Sequence, residues 1–130
     1  MDITAALSAL GTDDNLLTEQ HKADLDNKGF TVFSGLIDDE WLESLRTRFE
    51  ELCEKEGLHA GLEVHQEAGT RRLSDLCNKG PAFDLVYTHP TVLSAIYHVI
   101  GRDFKLSSLN ARDALPGEGL QGLHADWGAD

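Results

Sequence analysis

The sequence predicts an α+β fold, with helices first and strands after, on three observations. Apolar residues recur at helical spacing in two stretches, 38–55 and 89–100, each opened by a capping residue or proline and closed by glycine. The run Gly29-Phe30-Thr31-Val32-Phe33 and the segment from Phe104 onward are β-branched or aromatic and lack that period. Pro116-Gly117, Gly119 and Gly122 then interrupt any regular element, so the C-terminal part reads as strand, loop, strand.

Residues 1–16 read as a tail or weak helix ending near Gly11, with no chemistry assigned to them. Thr18 is placed to cap the helix TEQHKADLDNK, with Glu19 in its first turn and Gly29 at its end. Residues 29–33 follow as a strand closed by Ser34-Gly35. A longer helix spans 38–55, capped by Asp38 or Asp39 and stopped by Gly57. Trp41, Leu45, Phe49 and Leu52 share one of its faces. Residues 58–70 are aperiodic and predict a loop, 71–76 a strand or a helical turn, and 81–87 a short helix. His89-Pro90 opens a second strong helix that ends before Gly101, with Val92 or Leu93, Ile96, Val99 and Ile100 as its buried stripe. Strands are expected at 104–111 and 123–127. There are no internal repeats, no low-complexity segment and no linker, so residues 17–130 are expected to belong to a single domain. A sheet that begins near residue 104 has few partners and an open edge, which reads as the first part of a larger domain.

The chain has 130 residues, 41% of them apolar, enough for one domain with a core. Its formal net charge of -12 argues against nucleic acid and anionic membranes as partners, because both repel an acidic surface. No secretory signal or membrane-length apolar stretch is present, and no basic residue precedes Lys22. Cys53 and Cys77 do not form a CxxC pair, so a reduced cytoplasmic setting without disulfides is expected. Oligomeric state is not set by the sequence.

The chemistry concentrates between Phe104 and Gly128. In a strand over 123–127, His124 and Asp126 share one face and Leu123, Ala125 and Trp127 the other. An imidazole and a carboxylate so spaced can reach one divalent metal, the way two ligands are presented in a two-His-one-carboxylate iron site. The alternative is a histidine hydrogen-bonded to a neighbouring Asp at a strand end. His-x-acid is a weak motif: with six His and 23 acidic residues, chance supplies about one. A second such pair, His65-Gln66-Glu67, lies in an aperiodic acidic segment and reads as a solvated loop. Asn110 and Arg112 share a strand face that can line a site mouth or reach solvent, and Gln121 is similarly open. His98 reads as a partly buried or surface residue, His89 as the residue before Pro90, and His21 and His59 as parts of exposed segments. Trp41 reads as core, Asp38-Asp39-Glu40 as a helix start and Glu50-Glu51 as a solvated helix face. There is no phosphate-binding glycine loop and no nucleophilic serine elbow.

Two stretches, KGFTVFSGLIDDEWLESLR and FDLVYTHPTVLSAIYHVIGRDFKLSSLNARDALPGEGLQGLHADWG, resemble the N-terminal part of the phytanoyl-CoA dioxygenase family. The resemblance runs from about Leu17 onward. Its most specific part is the order Asn110, Pro116-Gly117, then Gln121-x-x-His124-x-Asp126-Trp127. It implies a double-stranded β-helix, or jelly-roll barrel, of which this chain holds the N-terminal helices and first strands. It further implies Fe(II) held by His124 and Asp126, with 2-oxoglutarate as cosubstrate near Asn110 and Gln121. The implied reaction is hydroxylation of a small organic or acyl substrate, coupled to conversion of 2-oxoglutarate to succinate and carbon dioxide. The family's distal metal histidine and its 2-oxoglutarate-binding basic residue have no counterpart, since no His follows His124 and no Arg follows Arg112. The chain is therefore expected to be a fragment of such an enzyme, inactive alone. The contrasting expectation is a small α+β binding module with a structural His–Asp pair.

Overall fold

A computed structural model describes residues 2–125. In it the helices form where local signals place them. Asp2 caps α1 (Ile3–Ala9), and Leu7 on this helix is buried. Thr18 caps α2 (Glu19–Lys28) through a reciprocal box. Its hydroxyl accepts from His21 N, and His21 Nδ1 accepts from Thr18 N. Asp38 accepts from Trp41 N at the head of α3 (Asp39–Glu56), with Asp39 and Glu40 in the first turn against the helix dipole. A turn of 3-10 helix (Gly57–His59) and a loop lead to β1 (Thr70–Leu73). Two further 3-10 turns, Leu76–Asn78 and Pro81–Phe83, precede α4 (Asp84–Thr88). Pro90 opens α5 (Pro90–Ile100), and β2 (Ala111–Ala114) follows after an extended stretch. Among the described residues β1 and β2 are the one sheet, antiparallel, pairing Thr70 with Ala114 through to Leu73 with Ala111.

The fold is therefore mixed helix and sheet, as expected, but with less sheet than the sequence predicts. Residues 30–33 leave α2 without a partner strand, and Phe30 and Val32 are 61% and 68% exposed. A β-branched run makes a strand only when a ladder satisfies its backbone, and none reaches this one. In the stretch expected as a strand at 104–111, Leu109 O accepts from Leu76 N at 2.9 Å but the ladder begins only at Ala111, and residues 123–125 are not in a strand among the described residues.

The core lies where α3 meets the sheet. Leu52, Leu73, Leu76 and Phe83 are buried together, with Leu45, Phe49, Leu109 and Ala111 packed against them. Three residues of the predicted α3 face, Leu45, Phe49 and Leu52, thus pack in this cluster. The fourth, Trp41, is half-buried and stacks on His89 at 5.9 Å instead. On α5 the predicted stripe holds at Leu93 alone. Leu93 and Ala95 are buried, whereas Ile96, Val99 and Ile100 are exposed. α5 contacts α1, α2 and α4, and these neighbours select which of its apolar residues are covered. Among the described residues no helix is long and apolar enough to cross a membrane, and Cys53 and Cys77 are free thiols.

Candidate functional site

The register of β1 and β2 sorts their side chains onto two faces. Arg71, Leu73, Ala111 and Asp113 point one way, and Thr70, Arg72, Arg112 and Ala114 the other. On the first face Leu73 is fully buried and Arg71 bridges helix and sheet. Its guanidinium donates to both oxygens of Glu50 on α3 at 2.6 and 2.9 Å, and its Nε to Asp113 at 2.9 Å. It also lies 5.0 Å from the centre of the Phe49 ring. The hydrogen bond from Arg71 holds the Glu50 carboxyl below its usual range. Glu50 is therefore a tie between α3 and the sheet rather than a merely solvated residue.

On the second face, Arg72 and Arg112 are direct cross-strand partners, an arrangement of like charges that disfavours pairing. Glu67 resolves it. Its two oxygens accept from Arg112 Nε and Nη2, both at 2.8 Å, in the parallel fork geometry that suits guanidinium and carboxylate. One of them also accepts from Arg72 Nη1 at 2.9 Å. The fork from Arg112, with help from Arg72, pulls the Glu67 carboxyl down to about 2. This corrects the solvated-loop expectation for Glu67, while His65 and Gln66 are exposed in a loop as expected. The Glu67 side chain is only 22% exposed, and Gln66 donates to the carbonyls of Leu58 and Ala60. Arg112, expected at a site mouth or in solvent, is a structural clamp.

Arg112 Nη2 also donates to the Gly119 carbonyl, which ties the loop after β2 to the sheet. Leu115 N donates to Gly69 O at 3.0 Å and Glu118 N to Leu115 O at 2.9 Å, closing the Pro116-Gly117 turn. Here Gly69 and Gly119 lie backbone against backbone. A Cβ on Gly119 would sit 2.6 Å from Thr70 Cγ2 and 2.8 Å from Gly69 O, and one on Gly69 would sit 2.8 Å from Gly119 N. Both have positive φ, +71° and +65°, so glycine is required twice over.

The residues singled out from sequence are spread along this strand and loop. Asn110 is half-buried. Its Oδ1 accepts from Asp75 N at 3.2 Å, supporting the one described non-glycine residue with positive φ, and its Nδ2 lies 3.5 Å from Ser108 Oγ. Asn110 also lines an open cleft of about 660 Å3 between α3 and β2, floored by Leu45, Phe49, Phe83 and Leu109 with Arg46 on its rim. Gln121 is exposed. His124 is exposed too, and its Nδ1 lies 2.8 Å from the Gly122 carbonyl. A carbonyl only accepts, so Nδ1 carries the proton and the lone pair of the neutral ring is on Nε2. Asp126 and Trp127 lie outside the described residues. Among the described residues no three His, Cys, Asp or Glu side chains converge as a metal site.

The other histidines serve helix ends and helix contacts. His21 completes the α2 cap and meets the Phe33 ring edge-on at 4.8 Å, so it is half-buried rather than exposed. His89 Nδ1 accepts from Thr91 N, and His98 Nε2 lies 2.8 Å from Asp26 on α2. Comparison of the chain with protein families, curated proteins and solved structures finds no match.

Proposed function

We propose that this chain is part of a Fe(II)- and 2-oxoglutarate-dependent oxygenase of the phytanoyl-CoA dioxygenase kind. In this reading β1 and β2 belong to a jelly-roll barrel, and His124 and Asp126 are two of the metal ligands. The observation that carries it is the orientation of His124. Metal-binding histidines ordinarily donate one ring N–H to a carbonyl or carboxylate, which fixes the tautomer and leaves the other nitrogen to ligate. The 2.8 Å contact of Nδ1 with Gly122 O supplies the first of these, a ring N–H held by a carbonyl. The donor types, a neutral imidazole and a carboxylate two residues on, suit iron(II). Supporting it is the sequence order in which Asn110 immediately precedes β2 and the Pro116-Gly117 turn, Gln121 and His124 follow it. The open edges of a two-stranded sheet, together with the exposure of Phe30, Val32, Leu106 and Leu120, fit a sheet that pairs with further strands.

Bound Fe(II) with 2-oxoglutarate would supply oxidative decarboxylation coupled to hydroxylation of a C–H bond in a small organic or acyl substrate. The part of this chain is to present His124 and Asp126 to the metal and to offer polar groups near the cosubstrate. Asn110 has its acceptor committed to Asp75 N, so it would act through Nδ2 as a donor. Gln121 is the second such residue. The family's second metal histidine and the basic residue for the far carboxylate have no counterpart in this sequence, so succinate production by this chain alone is not expected.

The test is a Co(II) titration of the 130-residue chain followed by NMR of the histidine rings. Saturable paramagnetic shifts centred on His124, abolished in His124→Ala and weakened in Asp126→Asn, are the expected result. Shifts spread evenly over the histidines, or unchanged by His124→Ala, would overturn the metal reading.

A further inference from the structure

The loop that carries Gln121 and His124 is held to the folded body at its root and exposed beyond it. Arg112 Nη2 bonds the Gly119 carbonyl, and Gly69 and Gly119 approach backbone to backbone. After them Leu120 and Leu123 are fully exposed. The guanidinium making that tie is itself fixed, because Glu67 takes its Nε and Nη2 in a bidentate fork and is in turn held by Arg72. A planar fork locked at two nitrogens has little rotamer freedom left, so it delivers its third bond in one direction.

We infer that Glu67 and Arg112 are positioning residues for His124: their ion pair anchors the start of the loop at Gly119 and so limits where the imidazole can go. This rests on the metal reading for its consequence, and on the geometry alone for its existence. Each part has its own observable. The Co(II) affinity at His124 reports the consequence. The 15N order parameters of residues 119–125 without metal report the anchor.

The variant of choice is Arg112→Met, which keeps the aliphatic stem and leaves Glu67 paired with Arg72. Loss of the fork is expected to lower the order parameters of residues 119–125 from rigid to below about 0.6. It should also weaken Co(II) binding at His124 about tenfold, the scale on which outer partners of metal ligands act. Arg112→Lys retains charge and reach but not the fork, and restores only part of both effects. Leu52→Ala, a core cavity far from the loop in sequence, lowers melting temperature and leaves both readouts unchanged, which separates anchoring from general stability. Unchanged loop order in Arg112→Met overturns the inference whatever the metal does. Lower order with Co(II) affinity intact overturns the positioning role. If His124→Ala fails to alter Co(II) binding, the metal reading falls, while the order parameters still decide whether the anchor exists.

Discussion

Gly119→Ala measures the backbone crossing on which the loop depends. Two costs arise, and the structure separates them. An alanine at φ +65° sits in the left-handed region, at about 1 kcal/mol. Its Cβ would also lie 2.6 Å from Thr70 Cγ2 and 2.8 Å from Gly69 O. The second of these is backbone, fixed by Leu115 N, so it cannot swing away as a side chain would. Relief requires the loop to shift off β1, an overpacking cost of about 1–3 kcal/mol. The sum is about 2–4 kcal/mol, a large share of the 5–15 kcal/mol typical of a domain. At roughly 4 °C per kcal/mol for a chain of this size, melting should fall by about 8–16 °C. Gly35→Ala is the control, because Gly35 has φ +72° but nothing within 4 Å of its Cβ, and should lose only about 4 °C. The assay is thermal unfolding of both variants, followed by circular dichroism. Equal losses in the two would show that Gly119 and Gly69 do not approach as described, and the anchoring of the loop would lose its basis.

Two further outcomes follow from the charges. Glu67 is held near 2 in the folded state against an ordinary value of 4.5, so its contribution is present above about pH 4.5 and is lost as pH falls toward 2. Glu67→Gln should therefore melt below the parent at pH 7, with the gap closing between pH 4.5 and 2; a gap constant over that range refutes the assignment. Asp38→Ala removes the acceptor for Trp41 N at the head of α3 and should cost about 1 kcal/mol in urea unfolding, whereas Asp39→Ala, which does not cap the helix, should cost less.

What was legible in the sequence is what depends on near neighbours. Thr18 with Gly29, Asp38 with Gly57, and Pro90 with Gly101 each mark a helix because caps act within a turn or two of themselves. The sheet was legible only in fragments, because strand pairing joins residues such as Thr70 and Ala114 that are far apart in the chain. The runs at 30–33 and 104–110 have strand composition and no ladder, and composition alone does not carry pairing. The α5 stripe held only at Leu93 for a related reason: its period is right, but the side that is covered depends on where α1 and α2 dock. Glu67 was hidden most completely, since its near neighbours read as a solvated loop and its partner Arg112 is 45 residues away. One signal was available. Arg71-Arg72 and Arg112-Asp113 are isolated charged pairs inside short strand-like stretches, where charges seldom sit without partners.

The same ion pairs bear on how a metal would meet this chain. Arg71, Arg72 and Arg112 are committed to Glu50, Glu67 and Asp113, so three of the eleven basic residues are occupied at the sheet. The acid excess of twelve charges is then spread over the remaining surface, where it draws divalent cations diffusely and raises their local concentration. Diffuse attraction and ligation by His124 respond oppositely to salt. The first is screened over a Debye length of about 8 Å at physiological ionic strength and shrinks further as salt rises. A bond from a histidine nitrogen to the metal is not screened in this way. Co(II) shifts at His124 that persist in high salt therefore belong to ligation, and shifts that fade as salt rises belong to the acidic surface.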